Sequence, residues 1–492
     1  MLYLLICCFI VALGVLYLIK VPENFKNVPR VSILSTLHSI ITRKTVQEHH
    51  SKILAPKLSK SGFAIVWVRG GWSLHISKPS AIKQILKNTR VFTKFRIHPA
   101  SLNRRFTGKR NIVRSDGEEW RRYRKPVNSI FIQSFCTKMF ADCVKEALSV
   151  LEYRVNEFSG KPVVVSDLME YMTLDILGKG VFGYDFKAIK NMGASHYHHL
   201  YKTVFNGVQS ALFLYFPILE YFPIFGRSKL HKNCDEFNKF IGEMVSKRRK
   251  EIEKYKNSDY KDVLSLMLEN DPDSPYEPFS DEEIIGNLNI FIIAGHDSTA
   301  HTLSYTMYYL AKDQNIQQKL RNEVYKTIEI PANQAEIVAP NTESLKDMVY
   351  MDCVLKEAMR MSPAVVNLHR HVAEEFQFPG EDIVVPKDNL VSIAIYGVQN
   401  DPKIHQNPKI FSPERFINTR YDTDTYLPFG GGSRMCLGMN FSLTEQKVYL
   451  SMLLQKFTIQ IHKDNPDFER LRMNGLIFSK AKDLKLNFVQ RF

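Results

Sequence analysis

The chain has 492 residues, 45% apolar and 24% charged, a balance that excludes a disordered or collagen-like protein and permits a large packed core. Its 66 basic and 51 acidic residues leave a net charge of +15; with no basic tract interleaved with aromatics, nucleic acid is not the expected partner. An anionic membrane surface and an acidic electron-donating protein account for the excess better.

Residues 1–19 are almost wholly apolar, long enough to span a bilayer. A cleaved signal peptide is the rival, but the run lacks a basic leader and a small-x-small cleavage site. Lys20, Lys26, Arg30, Arg43 and Lys44 follow, which keeps the rest of the chain on the cytosolic side. Strand patterns at 64–68 and 73–76 flank Gly70-Gly71 like a hairpin, and 390–396 reads as a third strand. Helical periodicity dominates elsewhere, with helices expected over 119–140, 142–156, 165–182, 229–255, 281–312, 314–328 and 344–361. The polar stretch 247–280 reads as a surface loop with one short helix at 263–268. Length alone suggests about three domains, yet no Pro/Ser-rich linker or repeat interrupts the sequence after residue 30, so one large domain is expected.

Segment 211–226 is strongly apolar, and Pro217 and Pro223 prevent one continuous helix. Ser280 with Glu283 three residues on forms a capping box. It opens an apolar helix whose middle holds Ala294-Gly295-His296-Asp297-Ser298-Thr299. Polar groups buried there need partners or a purpose; a solvent-facing stripe is the plain alternative. Glu357 and Arg360 share one helix face. Trp120 and Arg124 do likewise.

The stretch Phe429-Gly430-Gly431-Gly432-Ser433-Arg434-Met435-Cys436-Leu437-Gly438 is the most informative. Its glycines allow a tight turn close to something flat. The cysteine precedes a helix, where free N–H groups favour a thiolate, so it suits the axial ligand of a haem iron. The residues alone also permit a small buried hydrophobe in a loop. Zinc lacks a second ligand at the right spacing. Seven cysteines (7, 8, 136, 143, 234, 353 and 436) have no framework spacing and fit a reducing compartment.

The full pattern Phe-x-x-Gly-x-Arg-x-Cys-x-Gly resembles the signature of the cytochrome P-450 family of haem-thiolate monooxygenases, of the membrane-anchored microsomal type. Glu357-x-x-Arg360, Arg415 in Pro413-Glu414-Arg415-Phe416, and Ala294 to Thr299 follow the family's other motifs in order. The resemblance implies a mainly α fold with a small β portion, preceded by one transmembrane helix. It implies a signal anchor at 1–20, a linker at 21–45 and a catalytic domain at 46–492. It implies haem b (iron protoporphyrin IX) on Cys436, with Trp120, Arg124, Arg370, Phe429, Arg434 and Gly438 holding the cofactor. Glu357, Arg360 and Arg415 would brace the cysteine loop.

Asp297, Ser298 and Thr299 would relay protons, with Ser298 standing where the family usually has threonine. Ser298 is expected to bond back to the Ala294 carbonyl, and Gly295 to leave room for dioxygen. Ile97, Phe291, Ala294, Val365, Val366 and Leu476 would line an apolar pocket, so the substrate would be lipophilic. Segment 211–226 matches a mobile lid that dips into the membrane. Because no flavin domain follows residue 492, electrons are expected from a separate NADPH–cytochrome P-450 reductase, with cytochrome b5 as a further donor, at the endoplasmic reticulum membrane. An isomerase or dehydratase acting on peroxides, and a non-catalytic haem-binding protein, are the alternatives.

Overall fold

A computed structural model describes residues 20–132, 137–158, 161–254, 262–269, 275–330, 336–419, 422–481 and 483–491. The apolar segment 1–19 lies outside them, as do Cys7, Cys8 and Cys136. No described helix is long and apolar enough to cross a membrane.

The β-branched and aromatic run Phe-Ala-Ile-Val-Trp-Val forms β1 (Phe63–Val68), which pairs antiparallel with β2 (Gly71–Ile76). Val68 faces Gly71 in the register, so the turn is Arg69-Gly70 rather than the expected Gly70-Gly71. Both turn residues have positive φ (55° and 81°), as a tight hairpin whose twist matches its strands requires. Three further strands, β3 (Phe92–Lys94), β4 (Leu368–Val372) and β5 (Leu390–Ile393), complete a five-stranded sheet in the order β1-β2-β5-β4-β3. Only β2 and β5 run parallel. The expected strand 390–396 stops early because residues Ile395–Gln399 turn into a short helix.

Residues 20–45 are not a free linker. Phe25 and Val28 are buried in the core of this sheet, and Arg30 bridges to Ile65.

The principal helices are α1 (Gly117–Ile132), α2 (Thr137–Glu157), α3 (Ser166–Leu177), α4 (His196–Val208), α5 (Arg227–Lys254), α6 (Asp281–Ile292), α7 (Ser298–Lys312), α8 (Gln314–Ile328), α9 (Val349–Met361) and α10 (Met439–Lys456). Of the expected helix 119–140, the described part belongs to α1 up to Ile132 and to α2 from Thr137, while 344–361 breaks at Met348, whose ψ of 72° leaves the helical range. The short helix Val263–Leu268 is present, whereas the start of the expected loop belongs to α5. Ser280 and Glu283 cap α6 reciprocally, as expected. Every residue from 299 to 311 on α7 is buried, as befits a helix with apolar or partnered side chains on all faces.

Between α6 and α7 the chain makes one π-helical turn, Ile293–Asp297. Such a turn widens the backbone locally and re-aims the side chains on it. The polar stretch therefore falls on a break in the central helix.

Glu357 and Arg360 on α9 are fully buried and joined at 2.7 and 3.0 Å. Arg415 adds a third contact at 2.9 Å, and the Ser412 N–H a fourth at 3.0 Å. Arg360 also donates to the carbonyls of Gln399 and Pro408. One carboxylate thus ties α9 to the segment before the glycine loop. Glu357→Ala leaves two guanidinium groups without their counter-charge, and the expected loss is about 3–5 kcal/mol of folding stability by urea unfolding. A loss below about 1 kcal/mol would mean that the chain relaxes around the gap.

Candidate functional site

The glycine loop is shaped by backbone constraints. Gly430 and Gly432 both have positive φ, at 71° and 66°. A Cβ on Gly432 would lie 2.5 Å from the carbonyl oxygen of Leu86, so only glycine lets the loop reach the Pro79–Lys87 helix. The Cys436 N–H donates to the Phe429 carbonyl at 2.9 Å, and Gly438 stands at the N-terminal cap of α10. Phe131 packs between Phe291 of α6 and Phe441 of α10, with ring centroids 6.3 and 6.2 Å away.

Cys436 on the loop and Ala294 on the π turn are both exposed. Burial pushes the Cys436 thiol up from its ordinary value, and the Gly438 N–H and Arg124 only partly offset it. The helix start alone therefore does not make a thiolate, contrary to the sequence-based expectation. A cation bound to sulfur would supply what the fold does not.

Next to the cysteine, cations outnumber anions. Burial, then Arg370 and Arg434, drive the Lys94 ammonium well below its usual range. Burial and Arg434 bring Arg370 down to about 10. Arg434 donates to Asp116 at 2.7 Å and stacks 4.3 Å above the Trp120 ring, and its Nη1 is buried without a partner. Arg124 donates to the Met435 carbonyl at 3.3 Å. Asp116, which also accepts from the Lys94 N–H at 2.9 Å, is the one carboxylate acting on this group. Four cations against one carboxylate fit an anionic ligand that brings at least two charges. The sequence reading found Trp120, Arg124, Arg370 and Arg434 but missed Lys94, whose short strand carries no motif.

At the end of the π turn and the start of α7, Asp297, Ser298 and Thr299 face three different partners. The Ser298 hydroxyl donates to the Ala294 carbonyl at 2.5 Å, the back-bond expected for it. Thr299 is buried and bonds Ser442 of α10 at 2.9 Å. Asp297 accepts from the Tyr201 hydroxyl of α4 and lies 3.6 Å from His296 Nδ1. Burial alone would raise its carboxyl, yet His296, with His301 and Tyr201, outweighs burial and holds it at about 2. A Cβ on Gly295 would lie 2.8 Å from Leu177, so this glycine lets α3 approach closely rather than leaving open room.

Glu170, Asp297 and His301 bring their polar atoms within 4.8 Å of one another, and the Lys202 ammonium, 2.7 Å from Glu170, neutralises part of that charge. The i,i+4 spacing of Asp297 and His301 was the available sequence signal for this cluster. Glu445 on α10 was also missed; it is buried without a hydrogen-bond partner on either oxygen among the described residues, and burial drives its carboxyl well above the usual range.

A cavity of about 1040 Å³ opens beside the break. Val366 and Leu476 are among its walls; Ile97, Phe291, Ala294, Val365 and Cys436 are not. Val365 instead packs against the sheet core. The walls of this cavity are not wholly apolar: Arg69, Glu170, Lys202, Asp297 and His301 share them. They enter because the turn β1–β2 and helices α3 and α4 converge there.

Over residues 36–488 the chain matches a family model described as Cytochrome P450. It is 29% identical to cytochrome P450 3A11 of Mus musculus over 440 residues, covering 85% of this chain and 82% of that one. Against cytochrome P450 3A5 of Homo sapiens the identity is 28%, covering 82% and 80%. The crystal structure of the cytochrome P450DA heme domain superposes with a TM-score of 0.72 at 22% identity, over 89% of this chain and 91% of that one, and shares its fold.

The His296–Asp297 contact makes stability pH-dependent in two windows. Asp297 is depressed, so its contribution is complete above its ordinary 3.8 and lost as pH falls toward about 2. His296 is raised: burial opposes its charge, but Asp297 prevails. Its contribution is complete below 6.5 and lost as pH rises through the native value. In urea unfolding, wild-type stability should fall as pH rises above 6.5, and His296→Gln should flatten that slope. Parallel slopes for the two proteins would place the titration elsewhere.

Proposed function

The chain belongs to the cytochrome P450 family, whose members are monooxygenases that bind haem b through a cysteine thiolate and draw electrons from a redox partner, and from that premise we propose that Cys436 is the iron ligand of this enzyme. The observation that carries this reading is the accessible Cys436 sulfur beside four mutually repelling cations, Lys94, Arg124, Arg370 and Arg434. Haem b bound there supplies the activation of dioxygen. Its two propionates would meet those cations and Trp120, and Phe429, Arg434 and Gly438 would fix the loop around the sulfur.

The residues of the π turn act on protons and water. Asp297 holds a negative charge next to His296 and Tyr201, which favours orienting and passing protons. Ser298, tied to the Ala294 carbonyl, keeps the helix open at the break. Thr299, bonded to Ser442, steadies α7 against α10 rather than touching substrate. Glu357, Arg360 and Arg415 brace the loop from behind without chemistry.

The substrate is a lipophilic small molecule, taken into the cavity that Val366 and Leu476 line. Electrons arrive from a separate NADPH–cytochrome P-450 reductase, with cytochrome b5 as a further donor, attracted by the excess positive charge. Residues 1–20 anchor the protein in the endoplasmic reticulum membrane with the catalytic domain cytosolic. The outward-facing Ile218, Tyr221, Phe222 and Phe225 support membrane contact by the lid, since they leave a large apolar patch in water.

Purified, haem-loaded protein reduced under carbon monoxide should show the strongly red-shifted absorption of a thiolate ligand, and Cys436→Ala should abolish it. Persistence of that band in the mutant overturns the assignment. Ser298→Ala removes the back-bond, and the expected result is a several-fold drop in product per NADPH with matching peroxide release. Unchanged coupling would take Ser298 out of the reaction.

A further inference from the structure

The proposed reaction uses Asp297 but neither Glu170 nor His301, yet the three meet inside the protein. Each offers one polar atom, and these atoms lie within 4.8 Å of one another. Asp297 caps α7 and His301 follows four residues on, the spacing that puts two ligands on one helix face. Glu170 reaches them from α3. His301 is 3% exposed, and neither of its ring nitrogens has a hydrogen-bond partner among the described residues. An imidazole buried so deeply is costly unless something else engages it.

Burial above all lowers His301; Asp297 and Glu170 pull it back up, and Lys480 and His296 act with burial. The ring is thus a neutral nitrogen donor facing two carboxylates. The Tyr201 hydroxyl donates to Asp297 and steadies it, as outer partners of metal ligands do. Two carboxylates and one imidazole match a borderline ion such as zinc, whereas the nitrogen donor disfavours calcium and magnesium. A tetrahedral zinc ion sets its ligand atoms about 3.4 Å apart, so small side-chain rotations close the cluster. All three residues line the cavity, which gives an ion its way in. Two ammonium groups on the same wall, Lys202 and Lys480, oppose a cation there. Lys202 lies 2.7 Å from Glu170, but its side chain is 38% exposed and free to swing into water.

We propose that Glu170, Asp297 and His301 form a binding site for a divalent cation of the zinc class, which takes the Asp297 carboxylate out of proton transfer when it binds. The ion's binding stands apart from the monooxygenase reading; only its effect on proton delivery rests on that reading.

The test uses the full-length holoenzyme, treated with a chelator and then dialysed against labelled zinc alone. Wild type should hold one zinc ion per haem that His301→Gln lacks. X-ray absorption at the zinc edge should show nitrogen and oxygen neighbours of that ion without sulfur. Lys202→Met removes the competing ammonium, so it should bind the ion about tenfold tighter. Added zinc should raise the peroxide released per NADPH in wild type and leave that ratio unchanged in His301→Gln, each protein being compared with itself. Equal zinc content in wild type and His301→Gln, or sulfur around the ion, overturns the site. Zinc bound there without a rise in peroxide overturns its effect on proton transfer. Should His301→Gln fail to fold, Lys202→Met decides: unchanged or weaker zinc binding in that variant overturns the proposal. The carbon monoxide spectrum of wild type is scored separately. Its failure removes the haem-thiolate reading and leaves the zinc count standing, whereas a sound spectrum without the extra zinc removes only the metal site.

Discussion

Electrostatic imbalance beside the cysteine is the constraint on which the rest of the site depends. Lys94, Arg370 and Arg434 depress one another, and Arg124 adds to the repulsion. Buried like charges without counter-charges are costly, and Asp116 answers only part of the excess. The arrangement persists because its members are held by separate elements: β3, α1, β4 and the glycine loop. A fold that keeps such a group together is built around an anion. Haem b, the cofactor of this family, carries two.

The other half of the site follows from the break in the central helix. A regular helix would bury the polar stretch among apolar neighbours, where each group needs a partner. Where the π turn meets α7, three consecutive side chains instead point to different partners. Asp297 turns to α4, Ser298 bonds back on the helix, and Thr299 reaches α10. The hydroxyls thus stabilise the break, and the carboxylate joins a histidine-rich cluster. Such a cluster is more elaborate than an acid and an alcohol acting as a pair, and it couples the site to α3 through Glu170.

The cavity belongs to a different part of the molecule. The cavity wall is assembled from the hairpin turn, the apolar segment after α4 and the stretch around Leu476. None of these carries a motif, and their charges are unevenly paired.

The sequence by itself determined the helical class, the capped start of α6, the order of the motifs and the residues near the cysteine. These are local or motif-encoded: a capping box, a 3.6-residue period or a glycine at positive φ acts within a few residues. The tertiary structure decided what depends on distant contacts. It broke the helix expected at 344–361, moved the hairpin turn onto Arg69 and packed Phe25 and Val28, from the segment expected as a linker at 21–45, into the core of the sheet. It added Lys94 to the cations and sent Thr299 toward Ser442. It also lined the cavity with charges that apolar spacing does not foretell. Pairing between residues far apart in the chain leaves no periodic trace, so only the folded arrangement reveals which charges meet and which remain alone.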